Sequence, residues 1–314
     1  MINLEKNSTI LVTGSSGLLG TSLIKKLKSQ GYKKILDPSS GELDLRNQNE
    51  VDSYFRSHKI SYVFHLAARI GGFKEKISAP AEFFYDNLLI ACNAIEASRK
   101  YKVKKLVFIG TVCVYPNKSI QPIKEEYIFD GKLEPVSEAY GLAKISGLKF
   151  CGYCNNQYKT NFISLVPCNL YGPNDNFGDY PHLIPHLISK LHDAKRKNLN
   201  LVKIKMSGNA VREFLFADDL SEAMLYFVDY HDLEKVKPFL NIGYGKGISI
   251  VNLALLIKKI VDYKGEIKFD EPGKEEMPKR VLDTKKANNL GWKPKITLEE
   301  GLKITYEWFL KNKA

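Results

Sequence analysis

Apolar and polar positions along the chain fall into short buried runs separated by longer periodic stretches. Thr9-Ile-Leu-Val-Thr13 is a β-branched run of the kind a buried strand requires. It passes through Gly14-Ser-Ser-Gly17-Leu-Leu-Gly20 into Thr21–Leu27, where the apolar spacing turns helical. Lys34–Asp37, Tyr62–Ala68, Lys105–Gly110 and Phe162–Val166 predict further strands, and Phe239–Gly243 another. Between them, Ala81–Tyr101 repeats apolar residues at Phe84, Leu88, Ala91 and Ile95, and a second long helix carries Tyr140. Strand and helix in alternation predict an α/β fold, a doubly wound parallel (Rossmann) sheet. Pro167–Phe177 is turn-rich and marks a change of character. Beyond it the pattern predicts helices over Leu183–Lys195, from Asp219 to Tyr230, over Ser249–Val261 and over Leu298–Leu310, with short strands at Leu201–Lys205 and Ile267–Phe269. The expected organisation is a dinucleotide-binding domain, 1–167, that also receives roughly 209–245. A smaller substrate lobe is built from 168–208 and 246–314. The cleft between them is the default site.

Composition narrows the class. At 314 residues, 44% hydrophobic and 26% charged, the chain can bury a substantial core. No apolar run approaches the roughly 18 residues that span a bilayer, and a strand begins almost at Met1, so a cytoplasmic protein without signal peptide or membrane span is expected. The five cysteines (Cys92, Cys113, Cys151, Cys154, Cys168) are odd in number and sit in apolar or helical contexts, which is no disulfide framework. Cys151-Gly-Tyr-Cys154 falls mid-helix without a second pair or a nearby His, so it reads as packing and no metal site is expected. His65 likewise reads as a core histidine. The net charge of +12 is spread along the chain; no basic stripe with aromatic platforms argues for nucleic acid, and a basic pocket for a diphosphate metabolite fits as well.

Two motifs carry chemistry. A strand, a glycine turn and a helix form the context in which glycines let backbone approach a pyrophosphate at a helix N-terminus, although the spacing is GxxGxxG. Asp37 closes the next strand, where an acid hydrogen-bonds ribose hydroxyls, and Asp44 follows as an adenine-side contact. Tyr140 and Lys144 lie one turn apart on one helix face. A neighbouring ammonium favours the phenolate, so Lys144 is expected to lower the tyrosine pKa and fit the phenol to protonate a ketone oxygen.

With Gly14-x-x-Gly17-x-x-Gly20, Thr111 and Tyr140-x-x-x-Lys144, the chain resembles the extended short-chain dehydrogenase/reductases. Within them it is similar to the GDP-L-fucose synthases over nearly its whole length. The matching pieces include Ala67–Gly72, Gly110–Pro116, Glu138–Lys144, Asn169–Phe177, His182–Pro185 and Arg212–Asp219. The resemblance implies NADPH, with NADH as the alternative, lying along Gly14, Ser15, Ser16, Gly17, Leu18, Leu19, Asp37, Asp44, Leu45, Ala67, Ala68, Ile109, Tyr140, Lys144, Pro167, Asn169 and Leu170. It implies a GDP-linked 4-keto sugar whose C3 and C5 are inverted with Cys113 as base and His182 as acid. Reduction at C4 follows, with Tyr140 as proton donor, Lys144 beside the nicotinamide ribose and Thr111 on the ketone oxygen. Asn169, Lys190, Arg212 and Arg280 are implied substrate contacts, and a homodimer through helices 81–101 and 138–157 is implied too.

The chain also departs from that pattern. Ser15, Ser16 and Pro38-Ser39-Ser40 stand where basic residues for a 2′-phosphate are usual. Thr111-Val112-Cys113 replaces Ser-Ser-Cys, Phe73-Lys-Glu-Lys76 replaces a small, amide-rich stretch, and Lys205 stands at an expected tryptophan. These changes point to an alternative: a C4 reductase alone, acting on a GDP-4-keto heptose for a capsule or lipopolysaccharide. A redox-neutral nucleotide-sugar epimerase is the second alternative. A dehydratase, which needs an acid pair beside the Thr, is argued against by Val112 and Cys113.

Overall fold

The computed structural model describes residues 4–71, 73–179, 181–230, 233–269 and 278–314. In chain order the strands are β1 (Ile10–Thr13), β2 (Ile35–Leu36), β3 (Tyr62–His65), β4 (Lys105–Ile109), β5 (Phe162–Pro167), β6 (Asn169–Tyr171), β7 (Leu201–Ile204), β8 (Val211–Arg212), β9 (Phe214–Phe216), β10 (Leu240–Ile242), β11 (Ile248–Ser249), β12 (Glu266–Phe269) and β13 (Lys279–Arg280). The helices are α1 (Leu18–Ser29), α2 (Gln48–Ser57), α3 (Phe73–Ser78), α4 (Pro80–Lys100), α5 (Glu138–Tyr158), α6 (Leu183–Arg196), α7 (Ala217–Val228), α8 (Leu233–Val236), α9 (Ile250–Val261), α10 (Lys285–Asn289) and α11 (Leu298–Asn312).

Six strands form one parallel sheet in the order β10-β5-β4-β3-β1-β2. Every residue of β1, β3, β4 and β5 is buried, which is why these segments read as unbroken apolar runs. The chain leaves β1 for β2 on one side and returns to β3 on the other. This puts the topological switch point between β1 and β3, where open α/β sheets hold ligands at the carboxyl ends of their strands. The Thr13 hydroxyl ties the two ends together. It accepts the N–H groups of Leu66 and Ala67 at 3.2 and 3.3 Å and lies 3.0 Å from Nδ1 of His65.

One hydrophobic core surrounds this sheet. It takes in Leu220, Met224 and Phe227 of α7, which packs along α1, and Leu282, Ala287 and Trp292 from the last part of the chain. A second core is built from α6, α9, α11 and the parallel pair β7–β12, around Leu187, Leu191, Ile204, Leu253, Ile257 and Phe309. Helix α11 starts on a capping box: the Thr297 side chain accepts the Glu300 N–H while Glu300 reaches back to the Thr297 N–H.

The structure adds elements to the pattern. The turn-rich stretch after Pro167 holds β6, paired in parallel with β9. A strand of three residues, set between Pro167 and the Gly172-Pro173 pair, is too short to show a period. Helix α2 is mostly polar. It is held by an Asn47 cap, whose side chain accepts the N–H groups of Asn49 and Glu50, and by Val51 and Phe55 one turn apart. Gly72 of the Ala67–Gly72 match lies outside the described residues.

Candidate active site

The dinucleotide positions assemble from the glycine turn upward. Gly14 has φ +70°, and a Cβ there would lie 2.8 Å from the Ala67 backbone nitrogen. Only glycine lets this turn lie against the end of β3. A Cβ on Gly20 would meet the Gly14 carbonyl at 2.2 Å, so the third glycine lets α1 pack onto the same turn. No side chain caps the N-terminus of α1 and no acid lies in its first turn, which leaves that end suited to an anion. Ser15, Ser16, Gly17, Leu18 and Leu19 form this turn and helix start. Asp37 follows β2, and Ala67 and Ala68 follow β3. Ile109 ends β4 and Pro167 ends β5, with Asn169 and Leu170 just beyond. All stand at the carboxyl side of one sheet, and a cradle that a Cβ would fill fits the pyrophosphate of a dinucleotide. Leu45 is buried, and Asp44 beside it is held by Arg46, whose Nε and guanidinium nitrogen lie 2.8–3.2 Å from its carboxylate. The Ser15 hydroxyl donates to the Asp37 carbonyl at 3.1 Å, and Ser39 donates its N–H and its hydroxyl to Glu42 at 2.8 Å each.

At the end of β4 the chain turns through Thr111, whose hydroxyl accepts the Cys113 N–H at 3.3 Å. Helix α5 packs on this turn through Gly141, where a Cβ would lie 2.6 Å from the Cys113 carbonyl oxygen. Tyr140 is thereby placed beside Cys113. Lys144, one turn on and buried, donates from Nζ to the Ile109 carbonyl at 2.8 Å and sits 5.9 Å from the Tyr140 ring. Thr111, Cys113, Tyr140 and Lys144 therefore share one wall.

The electrostatics differ from expectation. Burial pulls the Lys144 ammonium down to about 8. The Tyr140 phenol is not acidified: burial pushes its pKa up, and a charge on Cys113 adds to this. A desolvated ammonium committed to a carbonyl is a weak partner for the phenolate, and that corrects the simple reading of the Tyr-Lys spacing. A second cation, Lys76 of α3, lies 5.7 Å from the face of the Tyr140 ring.

The substrate-side residues come from the other elements. His182 immediately precedes α6 and is largely exposed; Lys190 lies further along that helix, half-buried. Arg212 and Arg280 are direct cross-strand partners of β8 and β13. Arg280 also pairs with Glu134 at 3.3 Å. Asn169 donates from Nδ2 to the Glu213 carbonyl at 2.9 Å.

Three contacts carry no local sequence signal. Asp175 meets His182 at 3.1 Å. Glu213 is fully buried, and its carboxylate accepts the Gly245 and Leu282 N–H groups at 2.6 and 2.7 Å. Burial raises its pKa to about 7 against those donors. Arg69 bridges Asp86 and Glu75 at 2.9 and 3.0 Å. Cys151 and Cys154 are free and buried, and His65 is buried against Phe108, as their contexts predict. Among the described residues no cluster of His, Cys, Asp and Glu is grouped to hold a metal, and no helix is long and apolar enough to cross a membrane.

Comparison with known proteins agrees with this geometry. The model of the NAD dependent epimerase/dehydratase family matches residues 10–243. GDP-L-fucose synthase 1 of Arabidopsis thaliana is 39% identical over 310 residues, covering 98% of this chain and 95% of its own. GDP-L-fucose synthase of Escherichia coli (strain K12) is 37% identical over 310 residues, covering 96% and 97%. Among solved structures, the GDP-mannoheptose C4 reductase MlghC of Campylobacter jejuni, with NADP bound, superposes with a TM-score of 0.91 at 36% identity, covering 98% of this chain and 100% of that one. With a glycine cradle at the sheet's switch point and a Thr-Tyr-Lys wall beside it, this chain belongs to the NAD dependent epimerase/dehydratase family, the extended short-chain dehydrogenase/reductases, in company with the GDP-L-fucose synthases.

Proposed function

We propose that the chain is an NADPH-dependent epimerase/reductase of a GDP-linked 4-keto-6-deoxy sugar, of the GDP-L-fucose synthase type. The observation that carries this reading is the single wall in which Thr111, Cys113, Tyr140 and Lys144 meet at the joint of β4 and α5. A ketone at C4 acidifies the hydrogens at C3 and C5. Cys113, as thiolate, takes such a proton, and His182 returns one from the opposite face. Tyr140 keeps its proton at neutral pH, since its pKa is raised, and gives it up only as negative charge develops on the ketone oxygen. Thr111 hydrogen-bonds that oxygen. A bound nicotinamide would supply the hydride; the residues that would hold the dinucleotide are the glycine turn, Asp37, Ala67, Ala68, Ile109 and Lys144. Arg212 and Arg280 take the diphosphate, with Asn169 and Lys190 nearer the sugar.

A second reading, C4 reduction of a GDP-4-keto heptose without inversion, is favoured by Lys76 over the Tyr140 ring, in a segment that departs from the fucose synthase pattern. One experiment separates the two. GDP-4-keto-6-deoxymannose and GDP-4-keto heptoses are incubated in D₂O without reduced cofactor, then with NADPH. Deuterium at C3 and C5 followed by NADPH oxidation supports the bifunctional enzyme. NADPH oxidation with no deuterium entry leaves a reductase only, and no oxidation with any of these sugars overturns both. Exposed Tyr85 on α4 and Tyr153 on α5, two helices that pack side by side, support a dimer face here, which sedimentation tests directly.

A further inference from the structure

His182 and Asp175 stand on either end of the loop that leads into α6. The imidazole Nδ1 lies 3.1 Å from Asp175 Oδ1. The two side chains sit in opposite environments: His182 is 57% exposed and Asp175 only 2%. A left-handed residue, Asn174 at φ +65°, turns the chain so that Asp175 points inward. Its Oδ1 also accepts the Asn176 N–H at 2.8 Å. Its Oδ2 is buried with no hydrogen-bond partner among the described residues. A carboxylate that leaves one buried oxygen unpartnered is poorly explained by loop closure alone, because that oxygen's desolvation is uncompensated.

The chemistry of the pair is directional. An ionised carboxylate only accepts hydrogen bonds, so Nδ1 must donate. The Nδ1 proton is then held by Asp175, and Nε2 is the one nitrogen left to exchange a proton with a substrate. A dry acceptor behind a wet imidazole fixes both the ring's orientation and its tautomer, the arrangement by which a buried carboxylate orients a catalytic histidine elsewhere.

We infer that Asp175 is a positioning residue for His182: it holds the Nδ1 proton in place, so that the imidazolium gives its Nε2 proton to the sugar carbon and is left as the neutral Nδ1–H form, and it serves carbon inversion and not ketone reduction. The second half rests on the epimerase reading above; the first half does not. Tyr140, Lys144 and Thr111 have no contact with Asp175 or His182 among the described hydrogen bonds.

The test uses the full-length protein, ¹⁵N-labelled at histidine, as wild type, Asp175→Ala and Asp175→Asn. Alanine removes the acceptor. Asparagine retains an oxygen for the Asn176 N–H and for His182 Nδ1 without the negative charge, and keeps the loop closed if alanine loosens it. In wild type the ring-nitrogen shifts of His182, assigned by its loss in His182→Gln, should report the Nδ1–H tautomer. In Asp175→Ala they should move toward the Nε2–H form. Deuterium entry at C3 and C5 should slow about tenfold to a hundredfold in Asp175→Ala, the range typical of lost orienting partners, and less in Asp175→Asn, whose amide oxygen still accepts the Nδ1 proton. NADPH affinity should not change. Unchanged ring-nitrogen shifts in Asp175→Ala overturn the inference, and so does undiminished deuterium entry in Asp175→Ala when wild type exchanges. Should wild type itself exchange no deuterium, the epimerase reading fails, and the nitrogen shifts alone decide for or against the positioning of His182 by Asp175.

Discussion

At the scale of single residues, environment changes what the motif suggests. Tyr140 and Lys144 have the spacing of an acid and its helper, yet burial raises the phenol and lowers the ammonium to about 8. The tyrosine is thus a stored proton. Tyr140→Phe should reduce the rate of NADPH oxidation by about a hundredfold to ten-thousandfold, the contribution of a positioned proton donor. Deuterium exchange into the keto-sugar should survive, because the proposed base and acid for it, Cys113 and His182, are left in place. Stopped-flow absorbance and NMR on the same variant read the two steps separately.

Two buried residues, His65 behind the wall near Lys144 and Glu213 of the second half, oppose each other in pH. Burial holds His65 down at about 3, against an ordinary 6.5, and lifts Glu213 to about 7, against an ordinary 4.5. The unfolded chain protonates His65 from pH 6.5 downward while the folded chain waits until about 3. Stability from His65 is therefore full above 6.5 and lost as pH falls toward 3. Glu213 works in reverse: its contribution is full below 4.5 and lost as pH rises through 7. Each slope is at most about 1.4 kcal/mol per pH unit, so they nearly cancel between 4.5 and 6.5. Urea midpoints of Glu213→Gln, freed of the opposing slope, should start falling at pH 6.5, where those of the wild type begin to fall only near 4.5.

At the scale of elements, helix α5 shows how one sequence feature carries different meanings. A Cβ on Gly141 would strike the Cys113 carbonyl at 2.6 Å, whereas a Cβ on Gly152 would meet nothing within 4 Å. Gly141→Ala must push the helix off the Thr111–Cys113 turn. It should cost about 1–3 kcal/mol in urea unfolding and slow reduction more than tenfold. Gly152→Ala should instead stabilise by about 0.5–1 kcal/mol, the helix-propensity difference, with activity unchanged. Composition makes the two glycines equal; only the neighbour of each decides its sign. The long helices α4 and α5 were legible because each has 21 residues, enough turns for a period to emerge. Strands β6, β8 and β13 were not, because two or three residues carry no period and pair with partners far along the chain.

At the scale of the whole molecule, the pairing of Arg212 with Arg280 is the feature that no local window contains. Arg212 and Arg280 become neighbours only because β8 and β13 pair in register. Replacing either by alanine should raise KM for the GDP-sugar about tenfold to a hundredfold, with kcat and NADPH affinity little changed. Lysine at either position should restore only part of this, since it keeps the charge and loses the planar fork. Equal KM values for all variants in steady-state assays would remove both arginines from the site. Glu213 knits the same region together: its carboxylate holds the backbones of Gly245 and Leu282, and its own carbonyl anchors Asn169.

The sequence by itself determined the parallel sheet, the glycine cradle and the Tyr-Lys pair. Each is written in contiguous residues whose backbone preference, apolar period or one-turn spacing acts over a few ångströms. The tertiary structure alone decided that Arg212 faces Arg280, that Asp175 backs His182, and that Tyr140 holds its proton more tightly than its lysine suggests. Strand register, a turn that buries one carboxylate, and the removal of water from a side chain are all set by segments far apart in the chain. No local pattern records the distance or the dielectric that decides them.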